Sequence, residues 1–508
     1  MVGCAYTYSR IGMCCNQVDV EVDIKKGLPN IIISGLLSQE VKESKERIRP
    51  AISNSGIEFP MKRVTINLSP AETIKLGTHY DLAIAAAILK TSGLIDEKYE
   101  KTAYFGELNL SGDIKWVRGI IPLVLEARKN GFNKIFIPED NYPEILFLND
   151  NKIVPVNSIN DLINKIEHDI FNYNNGKNTK IHDIEKEDNN YKHYSDIMGQ
   201  EKLINAYRIA ASGHHHVILI GPPGSGKTMS ASRLPSIMPF LNKNEIIEIN
   251  KIYSIIGTNK NNNWITSRPF RSPHNSSSSR AIIGGGPKVI PGEISLAHKG
   301  ILFLDEFLEF RSDTLQALRT VIEKKEVYIS LRNGCAIYPA DFLLVAASNP
   351  CPCGFYGTKE GYCSCSLTEI KRYHKKLRNP LIDRIDLQVK VDRINYKELI
   401  ERKKNRSTLK IKKDVIRVRN IQKKRYENEN FLLNSEIPAE KISKYCILEK
   451  DGYKLLEKYM EDNLLTARSC HKILRIARTI SDLNNHDIIK IDDINEAFQY
   501  RILDVENI

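Results

Sequence analysis

The sequence predicts an α/β protein in three parts, two α/β domains followed by a helical one. Three observations carry this. Residues 1–170 alternate short β-rich runs with helical runs, a second alternation extends from about 195 to 392, and beyond it apolar residues fall at helical spacing. At 508 residues the chain also exceeds what a single hydrophobic core sustains.

In the first part, 1–170, "VDVEVDI", "RVTINL" and "KIFIP" read as strands, and "DLAIAAAILKTSG" and "IIPLVLEARKNG" as helices. Residues 171–194, "FNYNNGKNTKIHDIEKEDNNYKHY", are polar and Asn-rich and read as a linker. The second part, 195–392, carries most of the chemistry. The third, 393–508, is charged at first and then runs through "ARSCHKILRIARTISDL" with helical periodicity.

Hydrophobic residues at 42% and charged residues at 27% fit a globular protein. No apolar run approaches the roughly 18 residues that a membrane span needs, so no membrane partner is expected. The start, "MVGCAYTYSRIGMCC", lacks the basic and then apolar pattern of a secretion signal. Ten cysteines in this length do not make a disulfide framework, and a reducing cytoplasm is the expected compartment. Net charge is +12, concentrated in 397–425, where thirteen Lys/Arg face only Glu398, Glu401 and Asp414. That segment reads either as a solvated helix face or as a footprint for nucleic-acid phosphates, and charge alone does not decide.

The second part opens on "HHHVILIGPPGSGKTMSASRL", an apolar strand, a glycine-rich loop and a helix. The loop Gly221, Pro222, Pro223, Gly224, Ser225, Gly226, Lys227, Thr228 has the spacing that wraps backbone N–H groups around phosphates at a helix N-terminus. Lys227 is placed for the β- and γ-phosphates and the Thr228 hydroxyl for Mg²⁺. Downstream, "GILFLDEF" is a buried strand ending in two acids. Asp305 is the second Mg²⁺ candidate, and Glu306 the general base for an attacking water. ATP hydrolysis is therefore expected. "FLLVAASNP" ends a third strand at Asn349, suited to the γ-phosphate or the lytic water. Arg384, in "NPLIDRIDLQVKV", would neutralise charge on a neighbouring subunit's γ-phosphate, or would pair locally with Asp383 and Asp386. Arg468, in "LLTARSCHKIL", is placed to close over the phosphates from the C-terminal part.

"SNPCPCGFYGTKEGYCSCS" begins immediately before Asn349. Cys351, Cys353, Cys363 and Cys365 supply the four thiolates of a closed tetrahedral Zn²⁺ site; free thiols and a redox sensor are the alternatives.

Together "GPPGSGKT", "RPFRSPH", "GGGPKVIPGEISLAHKGILFLDEF", "SNPCPCG", "PLIDRIDL" and "ILRIARTISDL" resemble the magnesium-chelatase-like AAA+ ATPases of the YifB/ComM type. "GLPNIIISGL", "RVTINLSPA" and "YFGELNLSG" extend the resemblance to the N-terminus. It implies a P-loop AAA+ domain, a C-terminal helical lid, and an N-terminal α/β domain resembling that of Lon protease, of the ribosomal S5 domain 2-like type. It further implies a homo-hexameric ATP-hydrolysing ring on single-stranded or branched DNA, a helicase or translocase promoting branch migration in recombination or natural transformation. The alternative is a chelatase-type motor that remodels a protein partner. In this family Lys227, Thr228, Asp305 and Glu306 would form the two nucleotide motifs, Asn349 sensor 1, Arg384 the arginine finger and Arg468 sensor 2. Residues 268–286 would be the helix-2 insert, and 324–342 a hairpin turning at Asn333-Gly334, with Arg268, Arg271, Lys288 and Arg332 as DNA-contact candidates. Three features depart from the family pattern: His274-Asn275 in place of two histidines, Arg378-Asn379 before Pro380, and "ISLR" in the hairpin. In the Lon-like domain, the nucleophile position holds His79, and no lysine lies near Ile121, where the dyad partner would fall. Proteolytic activity is therefore not expected.

Overall fold

The computed structural model describes residues 2–95, 101–171, 193–194, 197, 199–258, 264–331, 334–357, 361–377, 380–393, 407–461 and 466–501. Most of the expected linker, all of 397–406, and the residues Arg332, Asn333, Arg378 and Asn379 lie outside these.

Strands Gly3–Ile11 and Cys14–Lys25 pair antiparallel from Gly3 against Val22 to Ile11 against Cys14. They occupy the middle of a seven-stranded sheet ordered Asn30–Ser34, Arg63–Ser69, Cys14–Lys25, Gly3–Ile11, Thr102–Tyr104, Lys134–Pro138, Ile153–Val156. Helix Asp81–Thr91 is buried continuously from Asp81 to Leu89, which is why "DLAIAAAIL" is apolar all round rather than striped. Its buried first carboxylate accepts hydrogen bonds from the Ser44 hydroxyl (2.5 Å) and from Arg47 Nε (2.8 Å).

The second sheet has five parallel strands in the order Phe270–Arg271, Ile301–Leu304, Leu343–Ser348, Val217–Ile220, Leu387–Lys390. Both faces are covered, so "VILI", "ILFL" and "LLVAAS" read as unbroken apolar runs. Side-chain alternation divides the cores. Val217, Leu219, Phe303 and Val345 pack with Ile411, Val415, Ile473 and Ile476 of the C-terminal helices. Ile218, Leu302, Leu304 and Leu344 face the other way, toward Val327, Ile329 and Tyr338. The C-terminal helices thus complete one face of the nucleotide-domain sheet.

The hairpin expected within 324–342 is present, with Glu326–Leu331 against Gly334–Pro339 and its last pair at Leu331 and Gly334. The tip of the N-terminal hairpin reaches it: at Gly12, φ +63°, an added Cβ would lie 2.9 Å from Ala336 Cβ. A second contact joins the two α/β parts. Helix Lys243–Ile256 is fixed by a capping box between Asn242 and Glu245 and ends at Gly257, φ +82°. Its Ser254 carbonyl accepts from Gly119 N (2.9 Å), and the ring of Phe147 stacks on Trp264 at 4.6 Å.

The basic segment is more inward than its charge suggests. In helix Thr408–Arg425, Arg417 donates to the carbonyls of Asp482 and Leu483, Arg419 to that of Ala211, and Arg425 pairs with the Asp482 carboxylate. Lys412 is buried, while Lys410, Lys413, Lys423 and Lys424 are exposed. Among the described residues no helix is long and apolar enough to cross a membrane.

Candidate nucleotide site

Strand Val217–Ile220 lies between Leu343–Ser348 and Leu387–Lys390, so the glycine-rich loop leaves the middle of the sheet beside Asn349. The loop is tight where it leaves. Gly221 N donates to Ser348 O (3.1 Å), and a Cβ at Gly221 would sit 2.1 Å from the Val391 carbonyl oxygen. Gly224 and Gly226 take φ of +76° and +81°, turning the backbone toward helix Lys227–Ala231. Ser225 Oγ closes the turn on Pro222 O (2.9 Å), and Arg393 donates to Pro223 O (2.9 and 3.1 Å).

Lys227 is 8% exposed and lies inside the loop, its Nζ donating to Gly221 O (2.6 Å), Pro222 O (2.9 Å) and Asn349 Oδ1 (3.4 Å). Burial lowers the pKa of this ammonium, and the Asp305 carboxylate opposes the shift. Thr228 Oγ1 donates to Asp305 Oδ2 at 2.7 Å. Two hard oxygens at that separation fit Mg²⁺, whose ligand distances of about 2.0–2.1 Å set an octahedral edge of roughly 2.9 Å. Asp305 Oδ1 accepts from Glu306 N (3.0 Å). Glu306 has a left-handed backbone, φ +51°, and its Oε2 accepts from Asn275 Nδ2 at 2.7 Å. The structure therefore assembles Lys227, Thr228, Asp305, Glu306 and Asn349 at one sheet edge. It adds Asn275, which stood out in the sequence only as a departure from a histidine pair.

The two arginines lie elsewhere. Arg384 and Arg468 both line a cavity of about 530 Å³ with Glu323, Lys472 and Arg475, and among the described residues its lining includes none from 221–228. Arg384 donates from Nε to Glu323 Oε1 (2.7 Å) and from Nη1 to Pro380 O (2.8 Å), so its carboxylate partner is not the neighbouring Asp383 or Asp386. Asp386 is buried and accepts from His215 Nδ1 (3.0 Å). Burial alone would raise its pKa; His215 and Lys472 outweigh that and hold it well below the carboxylate range. Lys472, desolvated on the cavity wall, is lowered to about 8.

Two of the DNA-contact candidates are committed internally. Arg268 donates to Pro239 O (2.6 Å) and Lys299 O (2.7 Å), and Arg271 forms a two-pronged bond with Glu293 (2.6 and 2.7 Å). Lys288 is exposed, 3.8 Å from Glu40, and Arg332 is outside the described residues. In the N-terminal domain His79 is buried with Nε2 2.7 Å from Tyr8 O, and burial lowers its pKa to about 4. Ile121 is fully buried, so the two positions that a Ser–Lys dyad would use hold a core histidine and an aliphatic side chain.

Three family models match the chain: "Magnesium chelatase, subunit ChlI" over residues 193–399, "Subunit ChlI of Mg-chelatase" over 20–141, and "Magnesium chelatase, subunit ChlI C-terminal" over 405–501. The chain is 37% identical over 507 residues to the uncharacterized protein YifB of Escherichia coli, covering 98% of this chain and 97% of that one. It is 36% identical over 512 residues to the competence protein ComM of Haemophilus influenzae, with the same coverage. Lon protease 2 of Bacillus subtilis is 27% identical over 189 residues, covering 32% of this chain and 33% of that one. Near-complete coverage at this identity, over a parallel sheet with a P-loop at its edge, settles the kinship: the chain belongs to the magnesium-chelatase-like AAA+ family that includes YifB and ComM.

Proposed function

We propose that the chain is a hexameric ATP-hydrolysing motor acting on DNA, a helicase or translocase that promotes branch migration in recombination or natural transformation. The observation that carries the enzymatic half is the pairing of Lys227 with Asn349 and of Thr228 with Asp305 by hydrogen bonds, with Glu306 adjacent. The N–H groups of 224–228 would take the phosphates, and Lys227 would exchange its carbonyl partners for phosphate oxygens. Thr228 and Asp305 would hold Mg²⁺, which supplies charge neutralisation at the phosphates. Asn349 would orient the γ-phosphate or the water, and Glu306, once released by Asn275, would accept the water's proton. Arg384 and Arg468 sit together away from their own P-loop, which supports their serving the nucleotide of a neighbouring subunit in a ring.

The DNA half is supported by the net charge of +12, by exposed Lys410, Lys413, Lys423 and Lys424 on one helix, and by full-length similarity to a competence protein. A chelatase-type motor remodelling a protein partner is the second reading. The inward commitment of Arg268, Arg271, Arg417 and Arg419 favours it, because that leaves less cationic surface for phosphates. The ATPase rate with and without single-stranded or forked DNA, at two salt concentrations, separates the two. DNA stimulation that weakens with salt is expected; no stimulation and no salt-sensitive binding would leave the protein-remodelling reading.

A further inference from the structure

We propose that Cys351, Cys353, Cys363 and Cys365 bind one structural Zn²⁺ per chain, and that this knot braces the phosphate-binding loop. The first half stands on the cysteines alone; the second rests on the nucleotide reading above.

The four sulfurs all lie within 4.8 Å of one another. Cys351 is 3.3 Å from Cys353 and 3.7 Å from Cys363, and Cys353 is 3.5 Å from Cys363. A tetrahedron with Zn–S bonds of about 2.3 Å has edges of roughly 3.8 Å, so one ion fits between these sulfurs with small outward shifts. None of the four is in a disulfide. Cys351 is fully buried and the other three are half-buried, so the site is closed on its inner side. Backbone N–H groups point at two sulfurs, from Tyr356 to Cys351 (3.3 Å) and from Cys353 to Cys365 (3.4 Å), the outer support that orients thiolate ligands. Gly354 and Gly357, at φ +85° and +68°, allow the turn that folds the first pair toward the second. Between strand Leu343–Ser348 and helix Leu367–Leu377 the described residues form no helix or strand, so an ion would supply cohesion that backbone pairing does not. An all-thiolate tetrahedral set suits zinc or iron among common metals, and a redox-inert ion is the simpler staple.

The loop presses on the P-loop. A Cβ at Gly354 would lie 2.6 Å from Pro223 Cδ and 3.9 Å from Asn349 Cγ, so the metal-loop backbone is packed directly against the phosphate loop. A second tether runs beside it: Gly361 abuts the Phe355 ring, the Arg393 guanidinium faces that ring at 5.6 Å, and the same guanidinium donates to Pro223 O. On the far side His374 Nε2 is 2.9 Å from Pro350 O, and its ring meets Tyr356 edge-on. Without the ion, the two cysteine pairs keep only these hydrogen bonds and ring contacts between them, and the wall against Pro223 and Asn349 loosens.

The test uses the full-length protein purified without added metal and without an affinity tag that binds metal. Elemental analysis should find one zinc per chain. Removing it with a chelator should weaken ADP binding at least tenfold, and adding Zn²⁺ alone should restore it. A Cys363→Ser/Cys365→Ser chain should lose zinc. Because that chain risks misfolding, Gly354→Ala provides an independent check: it should keep zinc yet weaken ADP binding, since its Cβ meets Pro223. Protein that contains no zinc and takes none up, or that contains iron instead, overturns the site. Zinc whose removal leaves ADP affinity unchanged overturns the brace. Zinc-replete wild-type protein that binds no nucleotide overturns the brace together with the nucleotide reading, while the zinc count stands.

Discussion

Asn275 holds one oxygen of the expected general base, and removing that amide should speed the enzyme. Asn275 Nδ2 lies 2.7 Å from Glu306 Oε2, while the Glu306 backbone is fixed by its contact with Asp305. A hydrogen bond to a charged group is worth about 1.5–3 kcal/mol, and solvent access at this pair argues for the lower end. If Glu306 polarises water only after leaving Asn275, losing about 1.4 kcal/mol of that restraint raises the competent population roughly tenfold. Asn275→Ala should therefore raise basal kcat by a factor approaching ten, with KM for ATP within about twofold because the residue does not bond to the P-loop. Any activator that works by releasing Glu306 should stimulate the variant less, by the same factor. A phosphate-release assay on wild type, Asn275→Ala and Asn275→Ala/Glu306→Gln measures this, the last serving as the inactive control. An Asn275→Ala enzyme with unchanged or reduced kcat would refute the restraint and make the amide a positioning group.

Two further outcomes follow from the geometry. Arg384→Ala should cut ATPase by ~10³ or more, the scale of an arginine supplied in trans. Mixing it with Lys227→Ala subunits should restore activity, because one interface type then carries both an intact P-loop and Arg384; mixed rings that stay inactive would contradict action in trans. His79, lowered to about 4 by burial, titrates near 6.5 in an unfolded chain. Between those values the unfolded state binds the extra proton. Its contribution is thus complete above pH ~6.5 and is lost as pH falls toward 4, by ~2 kcal/mol at pH 5 and ~3 kcal/mol at pH 4. Urea unfolding of wild type and His79→Gln at pH 7 and pH 5 tests it: a stability difference that does not change between the two pH values contradicts a neutral, buried imidazole.

The sequence made the nucleotide edge legible for a physical reason. Parallel strands buried on both faces must be continuous apolar runs, so the residues that end them, Gly221, Asp305 and Asn349, stand out at once. Helix Asp81–Thr91 announced its burial in the same way. Charge was far less legible, because a side chain's partner is set by tertiary contact. Arg384 sits between two aspartates, yet it bonds to Glu323, 61 residues away, while Asp386 turns inward to His215. Arg268 and Arg271 read in the sequence as DNA-contact candidates of the insert, and the fold gives them carbonyls and Glu293. Residues 397–425 carry a net +10, but in the described part Arg417 and Arg425 tie their helix to Leu483 and Asp482 of the neighbouring C-terminal helix, and Arg419 ties it to Ala211 of the sheet domain. Asn275 stands out in the sequence only as a departure from a histidine pair, and its amide becomes meaningful once the loop after Phe270–Arg271 is seen to pass Glu306.

The central claim is that Glu306 drives ATP hydrolysis at a site whose binding elements are Lys227, Thr228 and Asp305. Glu306→Gln keeps the side chain's size and removes the proton acceptor, so the most direct measurement is ATP affinity and single-turnover hydrolysis in that variant beside wild type. Affinity within about threefold and a chemical step slowed by ~10² or more is the predicted result, the scale of a lost general base. Hydrolysis at the wild-type rate, with ATP still bound, would contradict the account.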